Sequence, residues 1–129
     1  MDDRSERNLM GVHADLVKVV RKTHEDWRST LDGINDFVVT EGIRSRERQA
    51  QLFKAGASMT MDSRHLTGHA VDLACKVGGQ VRWDWPLYFR LAALMKSNAK
   101  LLGVPIVAGA DFPTLRDGPH YELDRAHYP

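Results

Sequence analysis

The sequence has a single cysteine, Cys75, and no apolar run that approaches the roughly 20 residues of a membrane-spanning helix. One cysteine cannot form a disulfide within the chain, and such a composition is typical of proteins made in a reducing compartment. Residues 1–7 are too polar for the apolar segment of a secretory signal peptide. We therefore expect a protein that is made in the cytoplasm and initially stays there.

The charge is balanced, since 18 basic and 17 acidic side chains give a net charge of +1. No basic stripe is present of the kind that binds nucleic-acid phosphates, so we expect no nucleic acid as a partner. The 129 residues, 43% of them hydrophobic and 27% charged, are enough for one core without disulfide or metal staples. No repeat or linker interrupts the chain, which predicts a single domain over residues 1–129.

Three helices are predicted from apolar periodicity and capping residues. Apolar side chains recur every three or four positions over about 12–31, and the Asp32-Gly33 pair that follows is typical of a turn. Residues 1–10 are polar, and we expect them to be extended or frayed.

The second predicted helix covers about 46–55, with Ser45 as its N-cap. Its apolar face is expected to consist of Ala50, Leu52 and Phe53. The third begins after Asp84, which is placed to cap it, and ends at Gly103, where glycine suits a left-handed C-cap.

Short strands are predicted by runs of β-branched and aromatic residues and by alternating polarity. They cover residues 37–40, 69–75, 81–83, 105–107 and 120–123. The Gly78-Gly79 pair suits a hairpin turn between the second and third of them. The fold class is therefore α+β, a single domain with a small, mostly antiparallel sheet packed with three helices.

Two distant segments carry the side chains that a catalytic zinc site requires. His65 and Asp72 are seven residues apart, and Gly68 between them allows a backbone turn that brings both to one spot. His120, on the last predicted strand, would complete a set of two imidazoles and one carboxylate, which leaves the fourth zinc position open. We predict one Zn²⁺ ion held by these three side chains.

Peptide hydrolysis at such a site also needs a general base and a group that stabilises the oxyanion. Asp117 is our candidate base, three residues before His120. Arg44, between a predicted strand and a predicted helix, is our candidate for the oxyanion and the substrate carbonyl. Taken alone, Arg44 would most often be a surface or salt-bridge residue. A lone aspartate in an apolar strand, such as Asp72, is more often a hydrogen-bonded structural residue than a ligand.

Other residues of catalytic type have simpler interpretations. His24-Glu25 begins like the H-E-x-x-H zinc helix, but position 28 is arginine, so the motif fails. His65 and His69 have the spacing of a helical zinc pair, which Gly68 argues against. Cys75 in an apolar strand is expected to be a buried small hydrophobe and not a nucleophile. Two tryptophans, Trp83 and Trp85, are expected to line the core or a cleft, with a sugar platform as the alternative.

Taken together, these motifs resemble a known family. Ser63-x-His65-x-x-Gly68-x-Ala70-x-Asp72 is similar to the S-x-H-x-x-G-x-A-x-D signature of the VanY-like zinc peptidases. That group includes D-Ala-D-Ala carboxypeptidases and dipeptidases and the L-alanyl-D-glutamate peptidases of phage endolysins. The segments 117–120 and 41–49 resemble the family's second motif and its arginine segment. The resemblance covers roughly residues 8–124.

The resemblance implies a role for each matching residue. His65, Asp72 and His120 would bind zinc, and Asp117 would be the catalytic base. Arg44 would bind the substrate carbonyl and the oxyanion, while Ser63 would contact the substrate. It also implies a fold shared with D,D-peptidases and the hedgehog signalling domain. Residues 109–112 read Gly-Ala-Asp-Phe where the family often has Gly-Gly-Asp-Trp, a departure that bears on the cleft wall.

The implied activity is hydrolysis of the peptide stem of bacterial peptidoglycan, at the L-Ala–D-Glu bond, by a phage endolysin that lyses its host. Cleavage at D-Ala-D-Ala or at D-Ala–diaminopimelate is an alternative, as is a zinc-stabilised binding module without catalysis or a metal-free structural domain. We expect a monomer that waits in the host cytoplasm until a holin-type pore admits it to the periplasm and the cell wall. The small size favours a thin Gram-negative wall.

Overall fold

The computed structural model describes residues 1–30, 34–58 and 60–129. Within them the chain forms four α-helices and five strands, so the prediction of three helices was one too few. The helices are α1 (Asp3–Leu9), α2 (Ala14–Ser29), α3 (Arg46–Lys54) and α4 (Trp85–Leu102). The strands are β1 (Asn35–Glu41), β2 (Ala70–Val77), β3 (Gln80–Val81), β4 (Ile106–Ala108) and β5 (His120–Leu123). No helix of these described residues is both long and apolar enough to cross a membrane.

The sheet has the order β1-β2-β5-β4, with β3 also paired to β2, and each of these pairings is antiparallel. The fold class is α+β, as predicted. β2 lies between β1 and β5 because the hairpin through β3 and the long return through α4 bring the last strand back to its free side. The centre of the sheet is therefore made from segments that are far apart in the sequence.

The hydrophobic core lies between the sheet and the pair formed by α2 and α4. Alternate residues of each strand point to the same face, and on β5 the core side is taken by Tyr121 and Leu123, both fully buried. Val71 and Leu73 of β2 join the same core. The residues between them, including Asp72, point to the other face of the sheet.

Residues 1–10 are not extended, which corrects the prediction for this segment. Asp2 caps α1 by accepting a hydrogen bond from the Ser5 amide at 2.8 Å. The buried Ser5 hydroxyl then accepts from the amide of Val39 on β1 at 2.9 Å. Polar side chains here cap the helix and join it to the sheet. Because the prediction relied on apolar periodicity, these polar residues did not indicate a helix.

The bounds of α3 agree with the prediction, and Ser45 caps it by accepting from the Arg48 amide at 3.0 Å. Its predicted apolar face is wrong: Ala50 and Phe53 are exposed and Leu52 is only half-buried. The side chain that α3 buries is Gln49. This helix lies at the edge of the domain, where it supplies a polar group to a hydrogen-bonding network.

The remaining elements lie close to their predicted positions. The hairpin pairs Val77 with Gln80 across Gly78-Gly79, and Gly103 ends α4 in the left-handed conformation. Asp84 precedes α4 but makes no capping hydrogen bond with its side chain, which pairs with Arg82. The predicted turn at Asp32-Gly33 and the end of the first predicted helix, Leu31, lie outside the described residues.

Candidate active site

The pairing of β2 with β5 places two of the predicted metal ligands side by side. Asp72 lies directly opposite His120 in the register of the two strands. Both side chains point away from the helical core, because Tyr121 and Leu123 take the core side of β5. Directly opposed residues of an antiparallel pair have Cβ atoms about 4.5–5.5 Å apart. The fold thus brings together residues that are 48 positions apart in the sequence.

His65 reaches the same spot from a short 3₁₀ turn, Arg64–Thr67. Ser63 caps this turn, and Gly68 ends it in the left-handed conformation with φ of 74°. A Cβ at Gly68 would lie 2.4 Å from the carbonyl oxygen of Gly11, so only glycine fits at this position. The predicted role of Gly68, a turn that brings His65 and Asp72 together, agrees with this geometry.

The orientation of His65 is fixed by a backbone group. Its Nδ1 lies 2.8 Å from the carbonyl oxygen of Gly42, which can only accept, so this nitrogen carries the proton in the neutral ring. The lone pair of Nε2 then faces Asp72 Oδ1 at 3.3 Å. Two acceptors held face to face repel each other unless a cation or a proton lies between them.

His120 repeats this arrangement from the other side. Its Nε2 donates to Glu122 Oε1 at 2.9 Å, and its Nδ1 lies 3.3 Å from Asp72 Oδ1. One nitrogen each from His65 and His120 and one carboxylate oxygen of Asp72 all lie within 4.8 Å of one another. Since two imidazoles and a carboxylate are a known zinc-binding set, the donor types and their convergence fit a metal ion.

The electrostatics of this cluster favour positive charge. Burial works against ionisation of Asp72, but hydrogen bonds and charges from His120 and His65 hold the pKa of this carboxyl well below its usual range. Burial likewise works against a charged His120, yet Asp72 and Glu122 raise its pKa to about 9. In the absence of a metal, a proton is thus attracted to the place that a cation would occupy.

Glu122 was not among the predicted site residues. It is half-buried, and its contact with His120 is the arrangement in which a carboxylate orients a metal-binding histidine. The sequence contained a signal for it, because residues two apart on a strand share a face. His120 and Glu122 therefore had to lie together once β5 was predicted.

Asp117 lies in the loop that leads into β5. Its backbone amide donates to the Gly109 carbonyl at 3.0 Å, and its carbonyl accepts from the His120 amide at 3.2 Å. A Cβ at Gly109 would lie 2.1 Å from the Asp117 carbonyl oxygen, so the loop packs directly on this glycine. Burial and the charge of Asp72 raise the pKa of the Asp117 carboxyl, which increases its ability to hold a proton.

Arg44 lies beside the cluster with its guanidinium almost fully buried. Its Nε and Nη2 donate to the two carboxylate oxygens of Glu41 at 2.8 and 2.7 Å. Its Nη1 donates to Gln49 Oε1 at 2.7 Å. Nη2 is also 3.9 Å from Asp72 Oδ2, and Nη1 is 3.5 Å from Ser63 Oγ. Neither Glu41 nor Gln49 was predicted as a site residue, although both lie in the arginine segment.

Ser63 has a structural contact in addition to its predicted contact with substrate. Its hydroxyl accepts from the His65 amide at 3.2 Å, as the cap of the 3₁₀ turn. Together with the 3.5 Å approach of Arg44 Nη1, this places the Ser63 hydroxyl between the 3₁₀ turn of His65 and the arginine.

The histidines that the sequence argued against lie outside the cluster. His69 contacts Thr67 Oγ1 with its Nδ1 at 2.6 Å and is not one of the three converging ligands. His24 pairs with Asp36 at 2.7 Å, at the beginning of β1. Cys75 is fully buried in β2, and burial raises the pKa of its thiol to about 12, so the structure agrees with a small core residue.

A cleft of about 210 Å³ adjoins Asp117. One wall is the segment 116–119, and the other consists of Trp83, Trp85 and Tyr88 around the start of α4. Both tryptophans are exposed, 61% for Trp83 and 43% for Trp85, so they line this cleft and are not core residues.

The fold and the site together define the class of protein. This small α+β domain brings two imidazoles and a carboxylate together, next to a further carboxylate in an open cleft. That is the arrangement of a metallopeptidase. The chain belongs to the phage L-alanyl-D-glutamate peptidase family, whose model matches residues 1–128.

Two named relatives show how far the similarity extends. The L-alanyl-D-glutamate peptidase of Escherichia phage T5 is 32% identical over 128 residues, which cover 96% of this chain and 88% of that protein. The L-alanyl-D-glutamate peptidase of Listeria phage A118 is 35% identical over 124 residues, 95% of this chain but 42% of that protein. In the second case this chain corresponds to less than half of the relative.

Solved structures agree with this assignment. The Serratia marcescens L-Ala D-Glu endopeptidase ChiX has a TM-score of 0.90 and 41% identity, covering 100% of this chain and 92% of that one. The zinc complex of the vancomycin resistance D,D-pentapeptidase VanY has a TM-score of 0.58 at 16% identity over 87% of this chain and 72% of that one. At that identity the likeness shows a common fold.

Proposed function

We propose that this protein is a zinc-dependent peptidase that cleaves the peptide stem of bacterial peptidoglycan between L-alanine and D-glutamate. The observation that carries this proposal is the convergence of His65, Asp72 and His120 beside Asp117, in a chain of this family. Named relatives of the chain are L-alanyl-D-glutamate peptidases, which supports the choice of bond.

His65, Asp72 and His120 would hold a single Zn²⁺ ion, with the ring nitrogens and the carboxylate oxygen described above as ligands. When bound, zinc lowers the pKa of a water molecule and polarises a substrate carbonyl. The protein fixes the ligands beforehand: Gly42 orients His65, and Glu122 orients His120.

Asp117 is the general base of the proposed reaction. It takes a proton from the attacking water and later gives it to the amine that leaves. Burial raises the pKa of this carboxyl, which favours its holding of the proton between the two steps. The hydrogen bonds of its backbone to Gly109 and His120 keep the loop close to the metal ligands.

Arg44 and Ser63 would complete the site on its other side. Glu41 and Gln49 hold the guanidinium rigidly, so that Arg44 acts as a preorganised positive charge towards the substrate carbonyl and the oxyanion. Ser63, 3.5 Å from this guanidinium, would contact the substrate backbone.

The biological setting is part of the same proposal. We infer that the protein acts as a monomeric endolysin of a phage and reaches the murein from the host cytoplasm through a separate holin-type pore. Its action on the cell wall is that of the family to which it belongs.

Product analysis on a defined muropeptide tests the proposed bond. The zinc-loaded protein should release a product with D-glutamate at its new amino terminus, identified by mass spectrometry. Release of free D-alanine would instead indicate a D,D-carboxypeptidase, and a new terminus at diaminopimelate would indicate an endopeptidase of other specificity. Intact stem peptides would contradict the proposal and leave a binding module or a structural domain.

The roles of the residues are tested by substitution. Asp117→Asn should reduce the hydrolysis rate by about 10²–10⁴-fold, the usual contribution of a general base, while the zinc content stays at one ion per chain. Asp3→Asn is the matched control, because Asp3 is an exposed carboxylate of α1. Chelation should lower the melting temperature, since a metal that binds only the folded form stabilises it. A chain without bound zinc and without this loss of stability would exclude the metal site.

A further inference from the structure

The cleft beside Asp117 has walls that are fixed before any ligand binds. A Cβ at Gly118 would lie 3.1 Å from Tyr88 Cβ and 3.2 Å from Trp85 Cζ3, so the loop is in close contact with the start of α4. Trp83 stacks on Tyr88 with a centroid distance of 6.0 Å and an interplanar angle of 6°. This shape exists in the protein itself, which is typical of ligand sites.

Hydrogen bonds also hold Tyr88, one residue of the aromatic wall, in place. The Tyr88 hydroxyl donates to the Arg82 carbonyl at 2.7 Å and accepts from the Cys75 amide at 3.0 Å. The aromatic wall is thereby attached to β2, the strand that carries Asp72. Tyr88 of the cleft and the candidate ligand Asp72 are therefore connected through one strand.

The cleft carries one charge of each sign, Arg116 and Asp117. Arg116 is exposed, and no carboxylate of the described residues lies within ion-pair distance of its guanidinium. A second carboxylate that entered the cleft would be repelled by Asp117. Arg116 is the cationic side chain of the cleft that would offset this repulsion. Its planar guanidinium suits two-point binding of a carboxylate.

Arg44, the other arginine of the site, is not available for that role. Three of its donor contacts go to Glu41 and Gln49, and the Glu41 carboxylate already balances its charge. Its proposed place is at the substrate carbonyl and the oxyanion, so a free carboxylate elsewhere on the substrate needs a second cation.

The proposed substrate has such a charge next to the bond that is cut. A glutamyl residue joined through its amino group and one of its two carboxyl groups keeps the other as a free carboxylate. In an L-Ala–D-Glu bond this residue supplies the leaving amine, so its carboxylate lies within a few bonds of the group that Asp117 protonates.

We propose that Arg116 and the aromatic cleft form the subsite for the D-glutamyl residue, with the guanidinium paired to its free carboxylate. This inference rests on the proposed function and identifies the residues that select an acidic residue on the leaving-amine side of the bond.

Two matched muropeptides test this subsite, one with D-glutamate and one in which the free carboxylate is a carboxamide. The wild-type protein should cleave the acid with about tenfold higher kcat/KM, the effect of one charged hydrogen-bonded pair. Arg116→Gln should lower kcat/KM for the acid to the value for the amide and leave the amide almost unchanged. Arg116→Lys should restore part of the preference, since it keeps the charge but not the fork.

Arg90→Gln is the matched control, because Arg90 is an exposed arginine of α4 that does not line the cleft. It should retain the wild-type preference, and the melting temperature of each variant should equal that of the wild type. A wild-type protein that cleaves both peptides equally, or an Arg116→Gln variant that keeps the preference or loses both substrates alike, would overturn the subsite. Cleavage of neither peptide by the wild type would instead overturn the proposed function.

Discussion

Glu122 and His120 face each other on the same side of β5, with the carboxylate 2.9 Å from the ring nitrogen that points away from Asp72. The contact decides which nitrogen of His120 is free for a metal, because the carboxylate can only accept a hydrogen bond. It also joins two side chains of one strand by a hydrogen bond, at the centre of the sheet.

Glu122→Gln should weaken zinc binding by about 10–100-fold, the usual effect of removing the carboxylate behind a metal-binding histidine. The dissociation constant can be measured by competition with a chromophoric chelator, independently of any activity. Glu25→Gln, an exposed glutamate of α2, is the control and should bind zinc as the wild type does. Equal affinity in all three proteins would show that Glu122 does not orient His120.

Gly109→Ala should reduce activity by about 100-fold, because a displacement of about 1 Å at a catalytic group has an effect of this size. The added Cβ would lie 2.1 Å from the Asp117 carbonyl oxygen, so the loop that carries the proposed base has to move. The measurement is the hydrolysis rate of a muropeptide. Gly79→Ala is the control: its Cβ meets open space, and its φ of 82° should cost about 1 kcal/mol of stability without a change in rate. An undiminished rate in Gly109→Ala would mean that the loop position is not important.

Cys75 should be inert in the folded protein. Burial raises the pKa of its thiol to about 12, and its side chain is fully enclosed in β2. Since the thiolate is the reactive form, a thiol reagent at pH 8 should label the protein only after unfolding in guanidinium. Rapid labelling of the native protein would show that β2 opens locally or that the thiol is activated.

His24 should make the fold less stable as the pH drops through about 6.5, the pKa of an unfolded histidine. Burial lowers the pKa of His24, although Asp36 at 2.7 Å favours the charged ring. The folded state therefore binds this proton less readily than the unfolded chain, and stability is lost as the unfolded chain takes it up. Urea denaturation between about pH 8 and pH 5 measures this slope.

His24→Gln should flatten that slope because it removes the buried imidazole. His127→Gln, in which an exposed histidine is replaced, should leave the slope as it is. If the His24→Gln and wild-type slopes coincide, the loss of stability at low pH arises elsewhere.

Local patterns were sufficient for much of the fold. Ser45 as a cap, Gly68 as a turn, the Gly78-Gly79 hairpin and Gly103 as a helix end each act within a few residues, and each lies where the sequence indicated. The three candidate ligands, His65, Asp72 and His120, also converge as predicted.

What the sequence did not predict depends on contacts between distant segments. α1 was missed because its stabilising contact is between Ser5 and Val39, 34 residues away. Gln49 was missed because a buried amide becomes acceptable only when partners such as Arg44 and Ser58 lie around it. Periodicity counts apolar residues, and it therefore placed the buried side of α3 on Ala50 and Phe53.

The position of β5 between β2 and β4 has a consequence for folding. Before β5 pairs with β2, His120 is not beside Asp72, and the set of three candidate ligands is incomplete. The set is completed only when the last strand inserts between its two neighbours. Capture of a metal ion by these side chains should therefore accompany closure of the sheet.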